Sequence, residues 1–240
     1  MSKVVQKKTP WSEIIDRYAE VSGDLRQMFL HPALLEEINS TIVHKGRCLD
    51  FGCGPGDLSV ALAHMFEDLV MVDIAPRALE KAAGRVGTKV SALSPESFAD
   101  TSDLFDAIIF SLVLTTIEQD EYAATVLRGL ARRLGDDGQF IIGTTHPCFT
   151  FRALSQVPYS SSGMPYNVMV ESGLDIIEFH RPLERIVGLL TESNLTIRTA
   201  REVYDNESYY LTRGEEPHRF AGILPLFLIL VCEKKEWLRL

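Results

Sequence analysis

Short apolar runs alternate with amphipathic stretches along most of this 240-residue chain. The runs at 47–51, 68–72, 88–92, 106–112 and 139–145 read as strands, and helical spacing falls at 57–66, 76–86, 120–134 and 181–193. Residues 195–203 and 225–233 supply two more strands. Strand and helix in alternation predict parallel strands joined by crossover helices, an α/β, doubly wound sheet. Ahead of the first strand, Trp11 to Asn39 reads as one or two amphipathic helices, broken near Gly23 and reopened at Pro32. The longest apolar run, Ile223 to Cys232, is too short to cross a membrane and contains Pro225, so it reads as a buried strand.

The most informative junction follows the first strand. Leu49-Asp50-Phe51-Gly52-Cys53-Gly54-Pro55-Gly56-Asp57 runs from an apolar strand into three alternating glycines and then a helix. Without a Cβ, glycine allows a sharp turn and a close approach of backbone to ligand. Asp73 ends the second apolar run, about 20 residues on, where a carboxylate can accept both hydroxyls of a ribose. A nucleoside-containing ligand is the implication. A dinucleotide fingerprint would be Gly-x-Gly-x-x-Gly, whereas this spacing is Gly-x-Gly-x-Gly, with the Asp57 carboxylate where a pyrophosphate would lie. That carboxylate disfavours NAD or FAD and tolerates a ligand carrying an ammonium group. No Lys-Ser/Thr pair follows the glycines, which excludes a P-loop.

Leu49 to Gly56 resembles the first motif of the class I S-adenosylmethionine-dependent methyltransferases. Phe105-Asp106-Ala107-Ile108-Ile109 resembles that family's fourth strand, and Leu134 to Phe140 its turn into the fifth. The resemblance covers residues 47 to 146 well and 180 to 233 more loosely. It implies a Rossmann-like, mostly parallel seven-stranded sheet with an antiparallel last strand. S-adenosylmethionine is the cofactor that it implies. The family pattern puts Asp50, Gly52, Cys53, Gly54 and Gly56 at the methionine part, Asp73 at the ribose and Ile74 on the adenine. Ser111 and Leu112 then line the cofactor from the fourth strand, and Tyr18 and Phe29 reach it from an N-terminal helix. Ser94-Pro95 departs from the family, since Ser94 stands where an acidic residue reads the adenine edge and Pro95 offers no N–H.

Charge and cysteines narrow the rest. A net charge of −9 and a pI near 5.2 argue against nucleic acid. Arg128, Arg132 and Arg133 read as a solvated helix face. The substrate expected is a small molecule. Cys48, Cys53, Cys148 and Cys232 lie in or beside strands without paired or zinc-like spacing, as small buried side chains in a reducing compartment. No metal, membrane or signal-peptide pattern appears, so the expected setting is cytoplasmic, with a monomer or homodimer as the assembly.

One domain is expected, with a helical cap over 1–40, a cofactor core over 41–146, a substrate lid over 147–180 and the remainder of the core over 181–240. Within the lid, Ser160 to Gly163 is loop-like, and Val168-Met169-Val170 with Ile176-Ile177 forms a small hairpin. His146 ends the fifth strand, at the reacting edge, and is the candidate general base; the other reading is a histidine fixed in the turn before Pro147. His146-Pro147-Cys148-Phe149 and His180-Arg181-Pro182-Leu183 resemble a bacterial small-molecule branch of the family, of methyltransferase type 11 or 12. Tyr159, Tyr166 and His180 are the candidate substrate contacts, and Glu171 a further lid candidate. Methyl transfer to an N, O or C atom of a small metabolite is the expected activity, with a role in specialised metabolism. The alternatives are a non-catalytic S-adenosylmethionine-binding protein and a nicotinamide-dependent oxidoreductase.

Overall fold

The computed structural model describes residues 11–20, 25–87, 90–153, 155–170 and 174–235. At the centre of the sheet lies β1 (Arg47–Phe51), with β2 (Asp68–Val72) parallel on one side and β4 (Phe105–Ser111) parallel on the other. Beyond β2 comes β3 (Val90–Leu93), and beyond β4 comes β5 (Leu134–Thr145), both still parallel. The sheet closes with β9 (Phe227–Lys234), antiparallel between β5 and β8 (Leu195–Val203). The order is therefore β3-β2-β1-β4-β5-β9-β8, seven strands with the reversed strand next to the edge.

Two apolar layers form because strand side chains alternate in direction. Leu49, Val70, Ile108, Phe110 and Ile142 face Leu127 and Leu130 of α6 (Asp120–Ala131) and Leu189 of α8 (Leu183–Glu192). On the other face, Cys48, Met71, Ile109, Ile141 and Ile229 meet α2 (His31–Thr41), α3 (Ser59–Met65) and α4 (Pro76–Val86) through Leu34, Leu62 and Ala82. Each such leucine or isoleucine stabilises the fold by about 1.5–3 kcal/mol relative to exposure. Gly143 lets α2 press close, since a Cβ there would come 3.2–3.3 Å from the Leu30 and Leu34 methyls.

Several boundaries differ from the sequence pattern for local reasons. The third helix begins at Ser59 rather than 57, because Gly52, Gly54 and Gly56 all have positive φ and hold the chain in turns. The sixth helix stops at Ala131, since Leu134 already pairs with Phe105 as strand. Gly138 sits against that pairing, where a Cβ would lie 2.8 Å from the Phe105 carbonyl oxygen. Ile223 is exposed on the turn before β9, so the buried part of that run starts at Pro225. At the N-terminus, α1 (Trp11–Glu20) is followed by a π-helical turn, Arg26–Leu30, that runs straight into α2; Gly23 lies outside the described residues.

The lid segment contains a short α7 (Phe149–Arg152) and an antiparallel hairpin of β6 (Met164–Val170) and β7 (Leu174–His180), longer than its apolar pairs suggested. Glu171 lies outside the described residues. Among the described residues, no helix is long and apolar enough to cross a membrane. The chain turns one way from β1 to β2 and the other way to reach β4, which leaves a crevice above the carboxyl ends of β1 and β4.

Candidate active site

That crevice is a cleft of about 660 Å³ including its open mouth. Its floor is the glycine turn. Gly52 has φ +77° and a Cβ there would overlap Val113, so only glycine fits. Gly54 has φ +54° and nothing within 4 Å of the Cβ it lacks, which leaves its backbone open to the cleft. Asp73 closes the turn: its carboxylate accepts the Gly54 N–H at 2.9 Å and the Ala75 N–H at 2.8 Å. Burial pushes the Asp73 carboxyl above its ordinary range, against backbone donors at Ala75, Gly54 and Ile74. A carboxylate has about four lone-pair sites, so not all are taken by the backbone.

The walls are apolar. Ile74 is 69% exposed yet lines the cleft, opposite Pro95, Phe51 and Val113. Pro95 is the first residue of α5 (Pro95–Ala99), and Ser94 caps that helix by accepting the Ser97 N–H at 3.2 Å. Trp11, Ile15 and Tyr18 of α1 cover the top, anchored where Ile15 packs on Ala75 and Ala78. From the end of β4, Ser111, Leu112 and Val113 line the same space. Leu112 has φ +56°, a left-handed conformation that side chains rarely adopt, and its N–H donates to the Gly143 carbonyl at 2.7 Å.

A second compartment continues under Tyr18 towards Arg26, His31, Asp50, Cys53 and Asp57. Asp50 is only 2% exposed, and the Ser59 hydroxyl donates to it at 2.6 Å. Burial raises its carboxyl to about 6, with the Ser59 hydrogen bond pulling the other way. The Ser111 hydroxyl lines both compartments, buried and without a hydrogen-bond partner among the described residues. Asp57, in contrast, is paired with Arg26 at 3.3 Å and with Arg85 at 2.5 Å. The Arg26 guanidinium also lies 4.0 Å over the Tyr18 ring, which clips α1 to the loop.

Across the carboxyl ends of β5 and β8 the construction changes. His146 is 5% exposed; its Nδ1 accepts the Cys148 N–H at 3.1 Å and its Nε2 stands 3.3 Å from Glu202. That pairing places the proton on Nε2, and burial lowers the affinity of the ring for a second one. A small cavity beside it is lined by Leu114, Thr115, Thr144, Thr145, Tyr166 and His180, among others. Tyr166 donates to Glu178 at 2.6 Å, and Thr145 donates to the other carboxylate oxygen at 3.1 Å. Two arginine hubs brace the region. Arg181 reaches Asp120 and the carbonyls of Leu114 and Ile117, and Arg152 is paired in the interior with Asp205 at 2.6 Å.

A family model described as a methyltransferase domain matches residues 16–199. The chain belongs to that methyltransferase family. Nodulation protein S of Azorhizobium caulinodans is 30% identical over 101 residues, which make up 41% of this chain and 49% of that protein. The chain thus spans about half the length of the curated relative it matches. Among solved structures, the N-methyltransferase NodS of Bradyrhizobium japonicum, in complex with S-adenosyl-L-homocysteine, is similar with a TM-score of 0.65 at 17% identity, over 94% of this chain and 98% of that one. An S-adenosylmethionine-dependent methyltransferase of Clostridium acetobutylicum gives 0.64 at 16% identity, over 94% and 98%. Both likenesses are of fold.

Within this methyltransferase, Tyr18, Gly52, Gly54, Ser111 and Leu112 line both compartments, Asp73 and Ile74 the upper one, and Asp50 and Cys53 the lower. Gly56 lines neither. Its reason is packing, since a Cβ there would sit 2.8 Å from the Ala82 Cα of α4. Phe29 does not line the cleft either; it packs edge-on against Tyr209. Tyr159 lies outside both cavities, stacked on Phe151 with its carbonyl bonded to His180 Nε2. Arg133 is no solvated residue, because it donates to the Phe98 and Ala99 carbonyls and stacks on Phe98. His146 takes the turn-fixing arrangement, with neither ring nitrogen free. Trp11, Ile15, Arg26 and Pro95 were not anticipated as lining residues. The spacing of Trp11, Ile15 and Tyr18 along one helical face was the available signal.

Proposed function

We propose that this chain transfers a methyl group from S-adenosylmethionine to an N, O or C atom of a small-molecule acceptor. The observation that carries this reading is a cleft with two carboxylates, Asp50 and Asp73, and no cation among the described residues paired with either. Such a cleft suits a nucleoside bearing positive charge. The orphaned Ser111 hydroxyl and the open face of Gly54 fit the same ligand. Bound there, S-adenosylmethionine supplies a methyl carbon already activated by a positive sulfur.

Asp73 holds the ribose hydroxyls with its remaining lone pairs, and Ile74 and Pro95 sandwich the adenine. Arg26 and His31 face the methionine end from the start of the helical cap, beside Asp50. The protein's share of the chemistry is alignment and exclusion of water, with α1 above the cleft and the lid hairpin over the β5 end. Residues 147–180 serve as the substrate lid, and the small cavity beside them suits the head group of a small acceptor.

The case against a nicotinamide cofactor rests on different residues from those the sequence pointed to. Arg26 and Arg85 neutralise Asp57, so that side chain no longer repels a pyrophosphate. Asp50 and Asp73 do so instead, and Gly56 is committed to α4. Calorimetry with S-adenosylhomocysteine and with NADH tests the reading: the first binds and the second does not. Binding of NADH alone would overturn it.

A further inference from the structure

We propose that the small cavity at the end of β5 is the acceptor head-group site and that it takes an aliphatic ammonium group. This rests on the methyltransferase reading above and names the class of acceptor for it. Asp120 at this edge of the molecule is matched with Arg181 and Arg185, and Asp205 with Arg152, while Glu202 meets the His146 ring and the Tyr204 hydroxyl. Glu178 differs from the two aspartates. Its carboxylate has no cationic partner among the described residues; the Tyr166 and Thr145 hydroxyls donate to it, and burial raises its carboxyl above the ordinary range against them.

The direction of those hydrogen bonds decides what the cavity can recognise. An ionised carboxylate only accepts, so Tyr166 and Thr145 both commit their protons to Glu178. Their oxygens keep lone pairs for the cavity that they line, with a negative charge directly behind them. His146 adds no donor, because its Nε2 proton is given to Glu202. Arg181 also lines the cavity, with its guanidinium turned onto Asp120 and the carbonyls of Leu114, Ile117 and Glu118. A second, independent feature marks the place as a ligand site. The Thr144 hydroxyl lines the same cavity, is 0% exposed and has no hydrogen-bond partner among the described residues. A buried hydroxyl left unmatched costs about 1–3 kcal/mol unless something fills its place. Tyrosine and threonine oxygens backed by an uncompensated carboxylate favour a multiple donor with positive charge over carboxylates and neutral alcohols.

Position agrees with the chemistry. The one-turn helix Leu114–Thr116 is shared, with Thr116 lining the cofactor cleft and Thr115 lining this cavity. An acceptor anchored at Tyr166 and Glu178 therefore stands one turn of chain from the cofactor.

The test uses the full chain saturated with S-adenosylhomocysteine, titrated at pH 7 and fixed ionic strength with propylamine, 1-propanol and propionate, and followed by ligand-observed NMR. Propylamine, cationic at this pH, is expected to bind at least about tenfold more tightly than either of the others. Glu178→Gln keeps the shape and removes the charge, and its single amide oxygen accepts from only one of the two hydroxyls. It should weaken propylamine by about tenfold while leaving S-adenosylhomocysteine affinity and thermal midpoint unchanged. Tyr166→Phe removes one lone-pair wall and keeps the charge, and should weaken propylamine several-fold. It carries the test if the glutamine variant fails to fold. No binding of propylamine to the wild type, equal binding of propionate or propanol, or unchanged affinity in the variants overturns the proposal. Loss of S-adenosylhomocysteine binding in the wild type would instead overturn the donor reading, so the two failures are distinguishable.

Discussion

Over β1, β2 and β4 the carboxyl edge of the sheet is made of backbone turns, whereas over β5 and β8 it is held by arginines. On the first side, Gly52 and Gly54 turn tightly and Asp73 ties the turn with two backbone N–H groups from within 19 residues of itself. On the second, Arg152 meets Asp205 across 53 residues and Arg181 meets Asp120 across 61. Side chains of the first region leave carboxylates open for a ligand; those of the second mostly neutralise one another. A cofactor used in one form can be met by rigid local geometry. The acceptor site proposed above is assembled from distant segments instead.

The sharpest way to break this contrast is Arg152→Ala. Asp205 is 2% exposed, and stranding its charge should cost about 3–5 kcal/mol. Denaturant melts should show that loss, with S-adenosylhomocysteine affinity retained in whatever fraction stays folded. Replacing both partners, Arg152→Met with Asp205→Leu, should recover most of the stability.

Next comes pH. The folded Asp50 carboxyl, near 6, lies above its unfolded value. Neutral Asp50 therefore contributes stability in full below about pH 4, and that contribution is lost as pH rises through about 6. A shift of about two pKa units is on the order of 3 kcal/mol. The wild type should lose that much relative to Asp50→Asn between pH 4 and 7, as read by thermal melts. Parallel curves for the two proteins would refute the assignment.

Gly52→Ala follows, at about 2 kcal/mol from left-handed strain, together with displacement of Val113. It should also abolish S-adenosylhomocysteine binding, because the floor of the cleft moves. Asp73→Ala should weaken S-adenosylhomocysteine by about tenfold, the worth of one charge-assisted hydrogen bond; unchanged affinity would remove the ribose assignment. The smallest expected effect is His146→Gln, about 1 kcal/mol of stability for the freed Cys148 N–H. Its pH–rate profile should keep the wild-type shape, whereas loss of the acid limb would make His146 the base after all.

Legibility followed the same divide. Strand β8 spans the predicted 195–203, and the glycine turn with Asp73 stood out because its partners are neighbours in sequence. Ser94 was readable as a departure from the family pattern but not as a helix cap, since capping depends on where α5 begins. The lid hairpin was visible as two apolar pairs, yet nothing in its spacing tells that Tyr166 would face Glu178 across the strands. Arg181 and Arg152 carry no periodic or motif signal, because what fixes them is a carboxylate in a remote segment. Asp57 was read correctly as a charge beside the loop and wrongly as a charge left open, for Arg26 lies 31 residues earlier and Arg85 28 later.

A last point concerns Leu112. In an extended strand, neighbouring side chains point to opposite faces, so at most every second residue can serve one cavity. Ser111, Leu112 and Val113 nevertheless line the same cleft in unbroken succession. The left-handed φ of +56° at the middle residue is what rotates the chain between its neighbours. A single twist, costing about 1–3 kcal/mol, thus folds a two-sided ribbon into a one-sided panel. The cleft is lined by three consecutive residues where regular strand geometry would offer two.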